Sequence, residues 1–205
     1  MNILFRPSRP GDASQAADLI YSAGPEALTY AFTTKKHRPT DFISEAFKDG
    51  AGSLGYRNHV VAEVNDSLVG IGAFYNTNEF DRLSLEMGWQ IFRFYGVFKS
   101  WGVLKRSGRL GTLTPYPEKN ALFFQNIAVA AEMQGMGIGK ALIHYGIETA
   151  RRQNLKLCLL DVVITNTRAS ALYEKFGFRI VETRKFPFND DAVHVPGQSR
   201  MVLKL

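Results

Sequence analysis

A single cysteine in 205 residues, Cys158, excludes an internal disulfide. It lies inside an apolar run and reads as a small buried hydrophobe rather than a nucleophile. The four histidines, His37, His59, His144 and His194, lack metal-ligand spacing, so no metal is expected. Charges or glycines interrupt every apolar stretch well before the length of a membrane span, and Met1 to Arg6 lacks the basic start and cleavage site of a signal peptide. A cytoplasmic protein without a membrane partner is the expectation. Internal repeats and low-complexity tracts are also lacking. The composition that remains, 45% hydrophobic and 21% charged, suits one soluble domain over residues 1–205 with an adequate core.

The most informative stretch is Gln134-Gly135-Met136-Gly137-Ile138-Gly139-Lys140. Before it, Ala121 to Val129 is apolar and rich in β-favouring side chains; after it, Ile138, Ala141, Leu142, Tyr145 and Thr149 recur at helical spacing. The predicted order is strand, glycine turn, helix N-terminus. Such a terminus offers unpaired N–H groups and a positive dipole end, and glycines let phosphate oxygens approach the backbone closely. The ligand should carry a phosphate or diphosphate. A P-loop is excluded, because position 134 is Gln where the first glycine is needed and position 141 is Ala where a hydroxyl is needed. The dinucleotide fingerprint fails as well, its third glycine falling at Lys140.

Taken from Gln134, the pattern is Gln-x-x-Gly-x-Gly, which resembles the acetyl-coenzyme A signature of the GNAT superfamily of N-acetyltransferases. Downstream, the buried-strand run Leu157 to Ile164 is followed by Asn166-Thr167-Arg168-Ala169-Ser170-Ala171-Leu172-Tyr173-Glu174-Lys175-Phe176-Gly177-Phe178. This resembles the second hallmark of the same family, Asn-x-x-Ala-x-x-Leu-Tyr-x-x-x-Gly-Phe. Both hallmarks lie in the family's order and at its separation, and together they cover residues 121–184.

The resemblance implies an α/β (α+β) GNAT fold: a mixed, twisted sheet of six or seven strands with helices on both faces, and the cofactor at the splay between two central strands. It also implies an acetyl-CoA-dependent N-acetyltransferase that acts on a primary amine by direct attack in a ternary complex. Acetyl-CoA would enter as co-substrate. Backbone groups of Ile127, Ala128 and Val129 would hold the pantetheine arm, and donors from Gln134, Gly135, Met136, Gly137, Ile138, Gly139 and Lys140 the pyrophosphate. Asn166 would either bond the pantetheine or cap the following helix. Lys140 and Arg168 would meet phosphates or remain solvated.

Tyr173 occupies the family's general-acid position, where a neutral phenol can protonate the departing thiolate; the alternative is a core tyrosine. Asp161, a carboxylate in an apolar strand, stands where the branch acting on protein N-termini has a glutamate proposed as base. A satisfied structural acid is its other reading. Glu132, in the cofactor loop, reads chiefly as a surface residue. Gln125 and Asn126 stand where other members place a glutamate; they cannot act as bases but can orient water or the acceptor.

Elsewhere the expectations are a strand at Ile3 to Arg6, a helix from Asp12 to Ala23 capped by Asp12 and stopped by Gly24-Pro25, and a helix from Thr40 or Asp41 to Lys48. A hairpin joins Asn58–Asn65 to Leu68–Tyr75, and two strands, Phe178–Arg184 and Ser199–Leu205, close the chain. Residues 77–120 form an insertion before the cofactor strand, with seven bases against four acids, net +3 of the chain's +6. Its aromatic centre, Met87 to Trp101, has three readings: short helices packed on the domain, an acceptor lid or homodimer contact, or a basic surface for nucleic acid or membrane. Segments 25–39, 77–120 and 185–198 are the expected acceptor walls, and Asp190 and Asp191 in the last would attract a cationic amine. The acceptor itself is not legible. Two rival functions stay open, a non-catalytic acyl-CoA sensor and a nucleic-acid-binding protein.

Overall fold

The computed structural model describes residues 2–188 and 193–205. Seven strands form one mixed sheet: β1 (Leu4–Pro7), β2 (His59–Val64), β3 (Ser67–Asn76), β4 (Ala121–Val129), β5 (Leu157–Val163), β6 (Arg179–Arg184) and β7 (Gln198–Lys204), in the order β1-β2-β3-β4-β5-β7-β6. Among the described residues, only β4 and β5 run parallel. The helices are α1 (Ala13–Ala23), α2 (Pro25–Phe32), α3 (Pro39–Asp49), α4 (Phe80–Leu110), α5 (Ile138–Arg152) and α6 (Thr167–Lys175). On one face, α1, α3 and α4 bury Ala16, Ile20, Phe42, Phe47 and Ile91 against Val61, Ile71 and Ala128 of the sheet. On the other, α5 and α6 cover Leu122, Phe124, Cys158, Leu160 and Met201. A Cβ on Gly146 would lie 2.5 Å from the rings of both Phe74 and Phe124, so α5 sits as close to the sheet as a backbone can.

Local chemistry explains the boundaries. The turn between β2 and β3 holds Asn65 and Asp66 at φ 50° and 61°, a left-handed pair that gives a tight hairpin, and Asn and Asp tolerate it best after glycine. Gly50, at φ 80°, ends α3. Two expectations change. Asp12 does not cap α1 with its side chain; its carboxylate instead takes two hydrogen bonds from Arg6, at 2.8 and 2.9 Å, and one from the Arg9 amide at 2.8 Å. Pro25 starts α2 rather than opening a loop, since its fixed φ and missing N–H suit the first position of a helix. The insertion, for which short helices were one of three readings, forms two helices that meet in a kink at Gly96, whose φ of 73° and ψ of 169° are not helical.

The fold also makes an opening. β4 and β5 pair only from Ala121 opposite Leu157 to Phe124 opposite Leu160. Beyond that point β4 stays with β3 and β5 stays with β7. Asn126, at φ 54°, marks the divergence: the β3–β4 register slips between Ile71 and Ala73, and the bulge turns β4 away from β5.

Candidate active site

The divergence leaves part of the β4 backbone without a strand opposite. Ala130 donates to the Val69 carbonyl at 2.9 Å across the Gly70–Val129 pair. By the alternation of an antiparallel ladder, the N–H and C=O of Val129, and those of Ile127 two residues back, therefore point away from β3 into the splay. Ala128 points the other way, with its methyl buried against the α1 side of the core. Of the three backbone positions expected on the pantetheine, two offer their groups to the opening and one spends them on the sheet.

Immediately after β4, Gly135 and Gly137 adopt φ 85° and 88°, a region in which any side chain would be strained, and α5 begins at Ile138 with no side-chain cap. The amides of Gly135, Met136 and Gly137 find no acceptor among the described residues, and those of Ile138, Gly139 and Lys140 lie in the first turn, where an α-helix supplies none. The turn is thus a set of donors at the positive end of a helix, flanked by the exposed Lys140. A diphosphate fits this donor set. Gln134 turns back, its Nε2 lying 3.4 Å from the Val129 carbonyl. Across the splay, Asn166 is a helix cap: its Oδ1 accepts the Ala169 amide at 3.0 Å at the start of α6. Arg168 is exposed beside it.

Tyr173 projects from α6 into the apolar layer beneath the sheet, edge-on to Phe178 at 5.8 Å between ring centroids. Burial pushes its phenol up to about 12, so it stays protonated at neutral pH. No hydrogen-bond partner engages its hydroxyl among the described residues.

On the opposite face of the sheet the polar side chains converge on β4, β5 and β7. Arg200 binds Asp161 through both carboxylate oxygens, Nε to Oδ1 at 2.6 Å and another guanidinium nitrogen to Oδ2 at 2.8 Å. It also donates to the Pro115 carbonyl at 2.9 Å and covers the Phe123 ring at 5.3 Å. Both side chains are buried, at 7% and 6% exposure. Burial raises the Asp161 carboxyl above the usual carboxylate range, and the Arg200 hydrogen bonds pull against that rise. Asp161, read from the sequence as either a base or a satisfied structural acid, is half of an ion pair whose guanidinium takes both oxygens. Nearby, Tyr75 donates to Gln125 Oε1 at 3.1 Å, its phenol pushed well above its ordinary range by burial. His59 is buried and held neutral, its pKa pushed down to about 4 by desolvation. Its Nδ1 lies 2.9 Å from the Gly55 carbonyl, which can only accept; the proton is therefore on Nδ1, and Nε2 accepts from the Asn126 amide at 3.3 Å. The bulged residue at the mouth of the splay is thereby oriented.

Three segments expected as acceptor walls meet here. Tyr30 of α2, Leu113 beyond α4 and Val195 before β7 form one apolar cluster, joined by Phe186. Arg109 of α4 donates to the Tyr30 hydroxyl at 3.3 Å and lies 4.7 Å from the Phe188 ring centroid. Asp190 and Asp191 lie outside the described residues. Glu132, in the turn after β4, is exposed. His59, Tyr75 and Arg200 were not singled out from the sequence. The one signal for Arg200 is a base inside an apolar closing strand, the counterpart of the acid inside β5.

The model of the acetyltransferase (GNAT) family matches residues 26–178. The chain is 33% identical over 73 residues to the chloroplastic GCN5-related N-acetyltransferase 6 of Arabidopsis thaliana, 36% of this chain and 25% of that protein. It is 34% identical over 67 residues to the [ribosomal protein bS18]-alanine N-acetyltransferase of Escherichia coli, 32% of this chain and 45% of that one. The chain thus spans less than half the length of these curated relatives. Among solved structures, an N-acetyltransferase from Staphylococcus aureus Mu50 superposes with a TM-score of 0.72 at 20% identity, over 98% of this chain and 100% of that chain. A GNAT family acetyltransferase from Elizabethkingia anophelis with acetyl-CoA bound gives 0.58 at 19% identity, over 100% and 99%.

Proposed function

We propose, starting from the fact that this chain belongs to the GNAT acetyltransferase family, that it transfers an acetyl group from acetyl-CoA to a primary amine by direct attack in a ternary complex. The observation that carries the reading is the coincidence of the β4–β5 splay with the free amides of Gly135 to Lys140. Acetyl-CoA supplies the activated thioester. The backbone groups of Ile127 and Val129 bind its pantetheine arm, and the amides of the glycine turn take the pyrophosphate, where negative charge meets the α5 dipole. Lys140 and Arg168 add charge at the phosphates.

Tyr173 delivers its phenolic proton to the departing sulfur, and burial keeps that proton in place until the thiolate develops. An alkylamine is mostly protonated at neutral pH and must lose a proton before it can attack. Asp161, with both oxygens engaged by Arg200, acts as a positioning residue: it fixes the guanidinium against Phe123 and the Pro115 carbonyl, and with them the segment after α4. The proton leaves through water oriented by Gln125 and Asn126, themselves held by Tyr75 and His59. The acceptor enters between α2, the end of α4 and the β6–β7 connection.

The test is release of free thiol across a panel of amines: polyamines, aminoglycosides, amino acids, and peptides with free N-termini or lysines. Turnover with at least one amine, reduced by Tyr173→Phe, supports the reading; acetyl-CoA binding without turnover on any amine overturns it. That second outcome would fit a non-catalytic acyl-CoA sensor, a reading favoured by the engagement of Asp161 in an ion pair. A nucleic-acid surface on the insertion has less support, since Arg82, Arg93, Arg106 and Arg109 are all spent on internal partners.

A further inference from the structure

Three buried side-chain oxygens find no hydrogen-bond partner among the described residues: Gln90 Oε1, Ser107 Oγ and Gln198 Oε1. The first two belong to α4, and the third stands at the start of β7, beside the splay. Leaving a carbonyl buried and unpaired is costly, so the oxygen of Gln198 calls for a donor from outside the chain.

The sheet register puts that oxygen on the acceptor side. Asp161 pairs with Arg200 and Val163 with Gln198, so Gln198 shares the sheet face that carries the Asp161–Arg200 ion pair. The β4–β5 pairing ends with Phe124 opposite Leu160. Val163 lies three residues beyond Leu160, about 10 Å along the open wall of the splay. The backbone is pinned at this point: the Ile164 amide donates to the Gly197 carbonyl at 3.0 Å, and a Cβ on Gly197 would lie 2.5 Å from the Arg184 carbonyl. Gln198 therefore projects from a fixed position.

The donors beside it in the ladder are already spent. Arg184, opposite Gln198 on β6, gives Nε and Nη2 to Glu182 at 2.8 and 3.0 Å, and its Nη1 lies 3.5 Å from the Thr112 carbonyl. Arg200 gives Nε and Nη2 to Asp161 and Nη2 also to the Pro115 carbonyl. The hydroxyl of Ser199 bonds that of Thr183 at 2.8 Å. Because each guanidinium is matched by a carboxylate, the two together repel a cationic amine only weakly.

We propose that Gln198 binds the acceptor, its Oε1 accepting a hydrogen bond from an N–H of the amine that becomes acetylated. The assignment rests on the acetyl-transfer reading above. A primary amine keeps an N–H both as ammonium and as free base, whereas a side-chain carbonyl can only accept. The bond therefore holds the nitrogen in place while its proton leaves through water.

Thiol-release kinetics test this with whichever of spermidine, kanamycin, leucine or a tetrapeptide beginning in alanine turns over fastest. Gln198→Met keeps an unbranched side chain without the carbonyl. It should raise the acceptor KM about 5- to 10-fold, with kcat within about 2-fold and acetyl-CoA affinity unchanged by isothermal titration. Gln198→Glu retains an accepting oxygen and should bring KM back to within about 3-fold of the wild type. An acceptor KM unmoved by Gln198→Met overturns the proposal and leaves the acetyl-transfer reading intact. A rise that Gln198→Glu does not relieve, or that comes with weaker acetyl-CoA binding, marks lost packing and overturns it as well. If the wild type turns over none of the four amines, the assignment falls together with the reading beneath it.

Discussion

His59 gives the protein a calculable weakness to acid. It opens β2, lies 2% exposed with its ring 5.5 Å from that of Phe47, and uses its Nδ1 proton on the Gly55 carbonyl. In the folded protein its pKa is pushed from 6.5 down to about 4, because desolvation penalises the imidazolium more than the Gly55 hydrogen bond favours it. With the folded value below the unfolded one, the histidine's contribution is complete above pH 6.5 and is lost as pH falls from 6.5 toward 4, where the unfolded chain binds the proton first. Across that window the loss is about 3 kcal/mol, a substantial share of a typical domain's stability. The assay is urea unfolding at intervals from about pH 7 to about pH 4, for the wild type and for His59→Asn, whose amide can still donate toward Gly55. Carboxylates titrate in both proteins, so only the difference between the two curves reports His59. The wild-type advantage at neutral pH should shrink by about 3 kcal/mol as the pH reaches the lower limit. Parallel curves, or an imidazole that titrates near its ordinary value in the folded protein, would refute the reasoning. Because Nε2 is the acceptor for the Asn126 amide, the same protonation should release the bulge residue at the splay.

Replacing Tyr173 by Phe should lower kcat by about 10²- to 10³-fold while leaving acetyl-CoA affinity within a few-fold, measured by thiol release and isothermal titration. In the wild type, the rate should not fall between about pH 8 and about pH 10, because the Tyr173 proton is held beyond the ordinary phenol range. Arg200→Met should cost about 3 to 5 kcal/mol in urea unfolding by stranding the Asp161 carboxylate, whereas Asp161→Leu with Arg200→Met should recover most of the loss. Equal destabilisation by the single and double variants would argue against the pairing. Gly96→Ala, placing a Cβ at φ 73°, should cost about 1 to 2 kcal/mol, although no neighbouring atom of the described residues lies within 4 Å to clash with it. A neutral effect would mean the α4 break is not fixed by that residue.

The parts of this protein that the sequence made legible are those where local pattern and tertiary environment agree. The strand, glycine turn and helix from Ala121 to Arg152 were readable because the same residues set the period, the positive φ values and the donor geometry. The cap at Asn166 and the hairpin at Asn65-Asp66 follow from side chains bonding or tolerating their own backbone. The acceptor side was not readable in the same way. Its contacts join residues 39 to 85 positions apart: Asp161 with Arg200, Arg200 with Pro115, Asn126 with His59, Arg109 with Tyr30. Nothing in the spacing of a single sequence encodes such pairings, and Asp161 seen without Arg200 can be either a base or a satisfied acid.

In α4 the pattern misleads, for a different reason. Leu83, Met87, Gln90, Phe94, Val97 and Trp101 keep one helical period throughout, so amphipathicity predicts that all six lie on one face. A single left-handed glycine shifts the phase after Phe94, and the stripe divides into a buried half and an exposed half. Periodicity fixes which residues share a face only while the backbone stays in one conformational well; one residue outside that well reassigns every side chain beyond it. The exposed aromatics are therefore consistent with a surface shaped by backbone geometry rather than left over by composition. A variant that straightened α4 should lose the exposed Val97 and Trp101 surface, read as reduced quenching of tryptophan fluorescence by iodide.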